Sequence, residues 1–179
     1  SLWALHNTGQ TGGTPDADIY APEAWDTTVG STVVVAAVID TGSDDTHPDL
    51  ASNMWVNPGE IPGNGVDDDG NGYVDDVHGY DFCNGDGDPL DDHRHGTHVA
   101  GTLAGAGRNG IGVAGAAWTC RLMGLKFLNS GATGSLDAAL EAFYYAIRMR
   151  RERNAPIRIL NNSWESSGYS QLLADAIEE

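Results

Sequence analysis

Apolar runs and stretches of helical periodicity alternate along the 179 residues of this chain. The first run, Thr32 to Ile39, reads Thr-Val-Val-Val-Ala-Ala-Val-Ile, without alternation of polar and apolar positions. A short β-branched run of this kind predicts a strand covered on both faces, as in a parallel sheet. Arg121 to Leu128 predicts a second buried strand and Ile157 to Leu160 a third, shorter one. From about Thr97 to Ala106 nearly every residue is small, which predicts a helix packed closely on all sides. Leu136, Ala139, Leu140, Phe143 and Ile147 recur at helical spacing within Ser135 to Arg153, and basic residues crowd the last turns, favourable to the helix dipole. Tyr169 to Glu179 begins another helical pattern, and Pro22 to Trp25 predicts a short helix with Pro in its first turn. Strands alternating with helices predict an α/β fold, a parallel β-sheet with helices on both faces. Neither a repeat nor a domain boundary is visible, so 1–179 reads as part of a single domain whose pattern stops inside a helix.

Residues 43 to 92 interrupt this rhythm with a long excursion rich in Asp, Gly, Asn and Pro. A structureless loop of that length is expected to be functional or ordered by a ligand. Ten aspartates fall between Asp67 and Asp92, out of 26 acidic residues in all. The net charge of −17 argues against nucleic acid or an anionic membrane surface as a partner. No apolar run approaches the length of a membrane span. The first residue is Ser1, not Met, as in a processed or trimmed product. Cys83 and Cys120 permit at most one internal disulfide and do not fix the redox compartment.

Two places carry candidate chemistry. The run Thr32 to Ile39 ends at Asp40-Thr-Gly, which puts a carboxylate at the carboxyl end of a predicted strand, the edge where sites form in α/β sheets. Downstream, His93, His95 and His98 precede the small-residue helix, so an imidazole stands at the entrance of a rigid element, where a catalytic base is held. A zinc site would need a general-base Glu between the histidines of such a helix, and none occurs here.

Within the acidic excursion, Asp67, Asp69, Asn71, Tyr73 (through its carbonyl) and Asp75 offer oxygens at alternate positions, with Gly72 sixth. This follows the first nine positions of an EF-hand-type calcium loop. The twelfth position is His78, so a closing ligand must come from elsewhere, with Asp76 as a candidate.

Asp40-Thr-Gly after a buried strand, followed by His95-Gly-Thr-His-Val-Ala-Gly-Thr opening a helix, resembles the subtilisin-like serine proteases, the subtilases. His47-Pro-Asp-Leu50, Gly112-Val-Ala-Gly115, Asn161-Asn-Ser163 and the lead-in Leu2-Trp-Ala-Leu-His-Asn-Thr-Gly9 extend the likeness over essentially the whole chain. The resemblance implies the three-layer subtilisin-like fold and an Asp-His-Ser triad in that chain order. Asp40 would orient His95, and His95 would take the proton of a serine attacking a peptide carbonyl. The family's nucleophile segment, Gly-Thr-Ser-x-Ala, matches none of the ten serines, and the oxyanion-hole Asn segment is also missing. The chain therefore reads as the N-terminal portion of a catalytic domain, truncated before the nucleophile helix and inactive alone. The alternative reading is a non-catalytic, subtilase-like calcium-binding module.

The resemblance also implies that Ala132, Thr133 and Gly134 pair with a substrate backbone, and that Ser163, Trp164 and Glu165 do so opposite and form one wall of the pocket for the residue before the cut. Trp164 and Glu165 depart from the family's usual Ser-Leu-Gly. Two further calcium groupings follow from family position: Asp81, Asn84, Asp86 and Asp88; and Asp49 with Asn109, Ile111, Val113 and either Asp16 or Asp18. Ca2+ as cofactor, protein or peptide substrates, an inhibitory propeptide and secretion complete what the resemblance implies.

Overall fold

The computed structural model describes residues 3–166 and 168–179. Leu2, the first residue of the lead-in motif, lies outside them. Strands β1 (Val35–Asp40), β2 (Gly79–Asp81), β3 (Arg121–Lys126) and β4 (Ile157–Asn162) form one parallel sheet in the order β2-β3-β1-β4. Helices α1 (Ala21–Trp25), α2 (His95–Ala104), α3 (Leu136–Glu152) and α4 (Gln171–Glu178) surround it. None of these helices is long and apolar enough to cross a membrane.

All six residues of β1 are buried, which explains why its sequence does not alternate. Val35, Ala37 and Ile39 join a core with Phe143, Ala146 and Met149 of α3. Ala36 and Val38 belong to a second core with Ala100 and Ala104 of α2. The sheet is thus sandwiched between helices, as the apolar pattern predicts, and α2 comes close because its inward residues are Gly96, Ala100, Gly101 and Ala104.

Several boundaries differ from the pattern. The first strand starts at Val35 and includes Asp40, and α2 begins two residues earlier than Thr97, because side chains upstream satisfy its first amides. In α3 the Ser135 hydroxyl caps the Ala138 amide, and the buried stripe includes Ala142, Tyr145 and Met149, whereas Leu136 is exposed. The short β2 lies inside the acidic excursion and has no run of its own to announce it. It exists because Gly79, at φ 124, lets the backbone approach β3 so closely that a Cβ there would sit 1.8 Å from the Gly124 carbonyl oxygen. Cys83 is exposed and Cys120 buried, and both are free thiols.

Candidate active site

Asp40 closes β1 and is fully buried, so its carboxylate cannot rely on water. Its Oδ1 accepts the Thr41 amide at 2.7 Å and faces His95 Nδ1 at 2.7 Å. With a carboxylate on Nδ1, that nitrogen carries the proton and Nε2 is left as the acceptor. The His95 side chain is 44% exposed, unlike its fully buried partner. Sheet topology brings this pair together across 55 residues of sequence.

A clamp holds the two elements in register. Arg94, at φ 87, turns the chain into α2 in a left-handed conformation. The Asp91 carboxylate accepts the amides of His93, Arg94 and Thr97 and the hydroxyls of Thr97 and Thr41. Thr41 in turn accepts the Gly96 amide at 2.9 Å, so the residue after Asp40 and the residue after His95 are directly bonded. Burial pushes the Asp91 carboxyl up, but the bonds from Thr97, His93 and Arg94 outweigh it and leave the group below its ordinary range. Of the other two histidines, His98 is exposed and His93 stands 6.4 Å from His95, ring to ring.

The two segments expected to flank a substrate meet at the carboxyl ends of β3 and β4. They line a cleft of about 340 Å³ with Ala132, Thr133 and Gly134 on one side and Trp164 and Glu165 on the other. Asn129 shapes the first segment by accepting the Gly131 and Thr133 amides and the Thr133 hydroxyl on its side-chain oxygen. Trp164 packs edge-on against Phe127 at 4.9 Å and donates its indole N–H to the Asn162 side-chain oxygen. Ser163 accepts the Asn161 side-chain amide and does not line the cleft.

In the acidic excursion, Glu60, Asp67 and Asp69 each bring a carboxylate oxygen within 4.8 Å of the others, and among the described residues they are the acidic group able to close on one cation. Glu60 is buried and accepts the amides of Asp68, Asp69 and Asp75. Asp67 and Asp69 also accept N–H groups of Asn71, Gly72 and Asn57, and Arg153 reaches Asp69 only at 3.9 Å, so three convergent carboxylates with one distant cationic partner form a group that could hold a cation, and hard oxygen donors suit calcium.

The remaining members of the EF-hand-like spacing are deployed differently. Asn71 accepts the Tyr73 amide and donates to Asp69 and Asp76. Asp75 turns towards the amides of Asn64 and Gly65. Asp76 is fully buried and accepts from Asn57, Asn71 and the Tyr145 hydroxyl, while its burial pushes its carboxyl up to about 6. The Tyr73 ring packs edge-on against Tyr80, Phe82 and Tyr145, and its hydroxyl accepts from Arg148.

The other acidic groupings are tied up in turns. Asp81 accepts the amides of Cys83 and Asn84 and the Asn84 side chain, and burial still leaves its carboxyl raised. Asp86 and Asp88 accept the amides two residues ahead of each. Buried Asp49 gathers the following loop through the Asn109 side chain and the Val113 amide, each at 2.6 Å, and Ile111 donates to Asn109. Asp16 adopts a left-handed turn, and Asp18 accepts the amides of Asn7 and Tyr20, which hold its carboxyl low.

Three residues of this region escape sequence reasoning. Asp91 carries a weak signal as an acid just ahead of a helix, and Lys126 is a charge in the middle of the otherwise apolar stretch 122–128. Glu60 had none, since it lies outside the alternating loop and reaches it only through folding.

The sequence profile of the Subtilase family matches residues 30–179. Subtilisin-like protease 1 of Plasmodium vivax is 40% identical over 147 residues, covering 82% of this chain and 22% of that protein. The Plasmodium berghei protein of the same name is 39% identical over 142 residues, 79% of this chain and 23% of its own length. Thermitase of Thermoactinomyces vulgaris is 32% identical over 128 residues, 72% and 38% respectively. The chain therefore spans well under half the length of these relatives. In three dimensions it is similar to a cold-adapted subtilisin-like serine proteinase, with a TM-score of 0.64 and 23% identity over 99% of this chain and 51% of the other.

Proposed function

The chain belongs to the subtilase family, and from that membership we propose that it carries the aspartate and histidine of a calcium-stabilised serine endopeptidase site. The observation that supports this reading most directly is the 2.7 Å bond between His95 Nδ1 and the buried Asp40 carboxylate, made by an imidazole that is itself 44% exposed. Asp40 holds the imidazole in one tautomer and stabilises the imidazolium that forms. His95 Nε2 takes the proton from a serine hydroxyl as its oxygen attacks the peptide carbonyl, and then returns a proton to the departing amine. None of the chain's own serines lies in a nucleophile segment of the family's kind, so these 179 residues alone are inactive.

The substrate is an extended peptide. Its backbone pairs with 132–134 and 163–165, and the side chain before the cut enters the cleft that Phe127 and Trp164 help to line. Calcium is held by Glu60, Asp67 and Asp69, where it offsets the mutual repulsion of three carboxylates and ties the two parts of the acidic excursion that carry them to one another. The Asp49–Asn109 grouping and the Asp81–Asp88 turn are secondary candidates, since among the described residues neither brings three carboxylate oxygens together as Glu60, Asp67 and Asp69 do. Dependence on calcium fits a secreted enzyme, working where that ion is abundant.

A serine-directed fluorophosphonate tests the catalytic reading. The full-length protein is expected to be labelled at one serine, with labelling lost in H95A and strongly reduced in D40A, and the 179-residue chain unlabelled. Labelling that persists in H95A, or no labelling of the full-length protein, contradicts it. For calcium, chelation is expected to lower the melting temperature by many degrees and E60Q to weaken the response to added calcium. A melt indifferent to chelator contradicts that assignment.

A further inference from the structure

Lys126, at the end of β3, is only 1% exposed and is the sole basic side chain buried among the described residues. A buried ammonium is costly unless each of its three protons finds an acceptor. Here all three do: Nζ donates to the Thr41 carbonyl at 2.9 Å, the Asp92 carboxylate at 2.7 Å and the Leu128 carbonyl at 3.2 Å. These acceptors belong to three separate segments. Thr41 follows Asp40 directly, Asp92 lies three residues before His95, and Leu128 opens the loop that lines the cleft.

The sheet places this lysine beside the acid. Asp40 and Lys126 are register partners in adjacent parallel strands, and the Asp40 carbonyl accepts the amides of both Phe127 and Leu128. The second carboxylate oxygen of Asp40, Oδ2, is buried without a hydrogen-bond donor. The anion is thus held directly only through Oδ1, and its backbone is fixed by β3 on one side and by the Thr41 carbonyl that Lys126 grips on the other. An apolar side chain of similar volume would fill the same space without the desolvation cost. A lysine there gains by what it joins.

We infer that Lys126 is a positioning residue for the Asp40–His95 pair: its ammonium ties the turn after Asp40, the segment leading into His95 and the start of the substrate loop into one unit. This rests on the reading of Asp40 and His95 as the acid–base pair. The role differs from that of Asp91, which grips the amides of α2 but makes no bond to β3 or the cleft loop.

The Nδ1–H proton of His95, observed by NMR in the 179-residue chain and in full-length protein, reports the bond to Asp40 without any need for turnover. In the wild type it is expected far downfield and protected from exchange. In K126M and in D92A it is expected to move upfield and exchange at least tenfold faster, whereas K126R, which keeps the charge, retains part of the protection. Asp92 is about half exposed, so D92A decides the matter even where K126M fails to fold. If D92A is folded and its His95 proton resonates and exchanges as in the wild type, Lys126 serves the sheet alone and the inference is wrong. If the wild type itself lacks the downfield proton, the Asp40–His95 pairing fails first and the inference falls with it.

Discussion

Gly96 presses against Gly42 so closely that a Cβ on Gly96 would lie 2.0 Å from the Gly42 carbonyl oxygen. The glycine one residue after His95 thus sets how near α2 can come to the turn after Asp40. In G96A the helix must move outward, because the obstacle is backbone and cannot rotate away. Overpacking of this kind costs about 1–3 kcal/mol. A displacement near 1 Å at a catalytic pair costs about 100-fold in rate. Both losses are expected, one in denaturant melts and the other, under the proposed peptidase function, in kcat/KM of the full-length protein, and a fully active G96A would show that the contact does not set the geometry.

Asp91 accepts bonds from His93, Arg94, Thr97 and Thr41, so D91A leaves the first amides of α2 unsatisfied. A loss of about 2–3 kcal/mol at neutral pH is expected from helix-cap and charged hydrogen-bond magnitudes. Because the folded state holds this carboxyl below its ordinary value of 3.8, its contribution is present above that pH and fades as pH falls further. Urea titrations at pH 7 and pH 3 are expected to show a smaller gap between wild type and D91A at the acid end.

Asp76 has the opposite sign. Burial raises its carboxyl from 3.8 to about 6, so the folded state binds the proton more tightly than the unfolded chain. In chelator, stability is expected to fall as pH rises from about 4 through 6. The loss is about 2–3 kcal/mol, since each tenfold difference in proton affinity is worth about 1.36 kcal/mol. D76N should flatten that slope. An unchanged slope in D76N would place its origin elsewhere.

Trp164 forms a wall of the cleft by packing on Phe127 at 4.9 Å. W164A enlarges the space, and if the cleft takes the residue before the cut as proposed, the full-length protein is expected to shift its preference towards bulkier residues there, by about tenfold in relative kcat/KM. Peptides varied only at that residue give the measurement.

What the sequence determined by itself was local. A strand buried on both faces leaves an unbroken β-branched run, and a helix gripped by its neighbours leaves a run of small residues, so β1, α2, α3 and the parallel arrangement were all legible. The placement of Asp40 at the end of a strand and of His95 at the start of a helix was legible too, because each follows from the residues adjacent to it. Tertiary structure alone decided what depends on contacts between distant segments. β2 pairs with β3 through the bare backbone of Gly79, which leaves no apolar signature. Asp75 and Asp76 have spacing that suggests a metal loop, yet their oxygens face Asn64, Gly65 and Tyr145, while Glu60 joins Asp67 and Asp69 from outside the motif. A carboxylate's partners are set by where the chain folds back, and spacing along the chain carries only the part of that geometry lying within one turn.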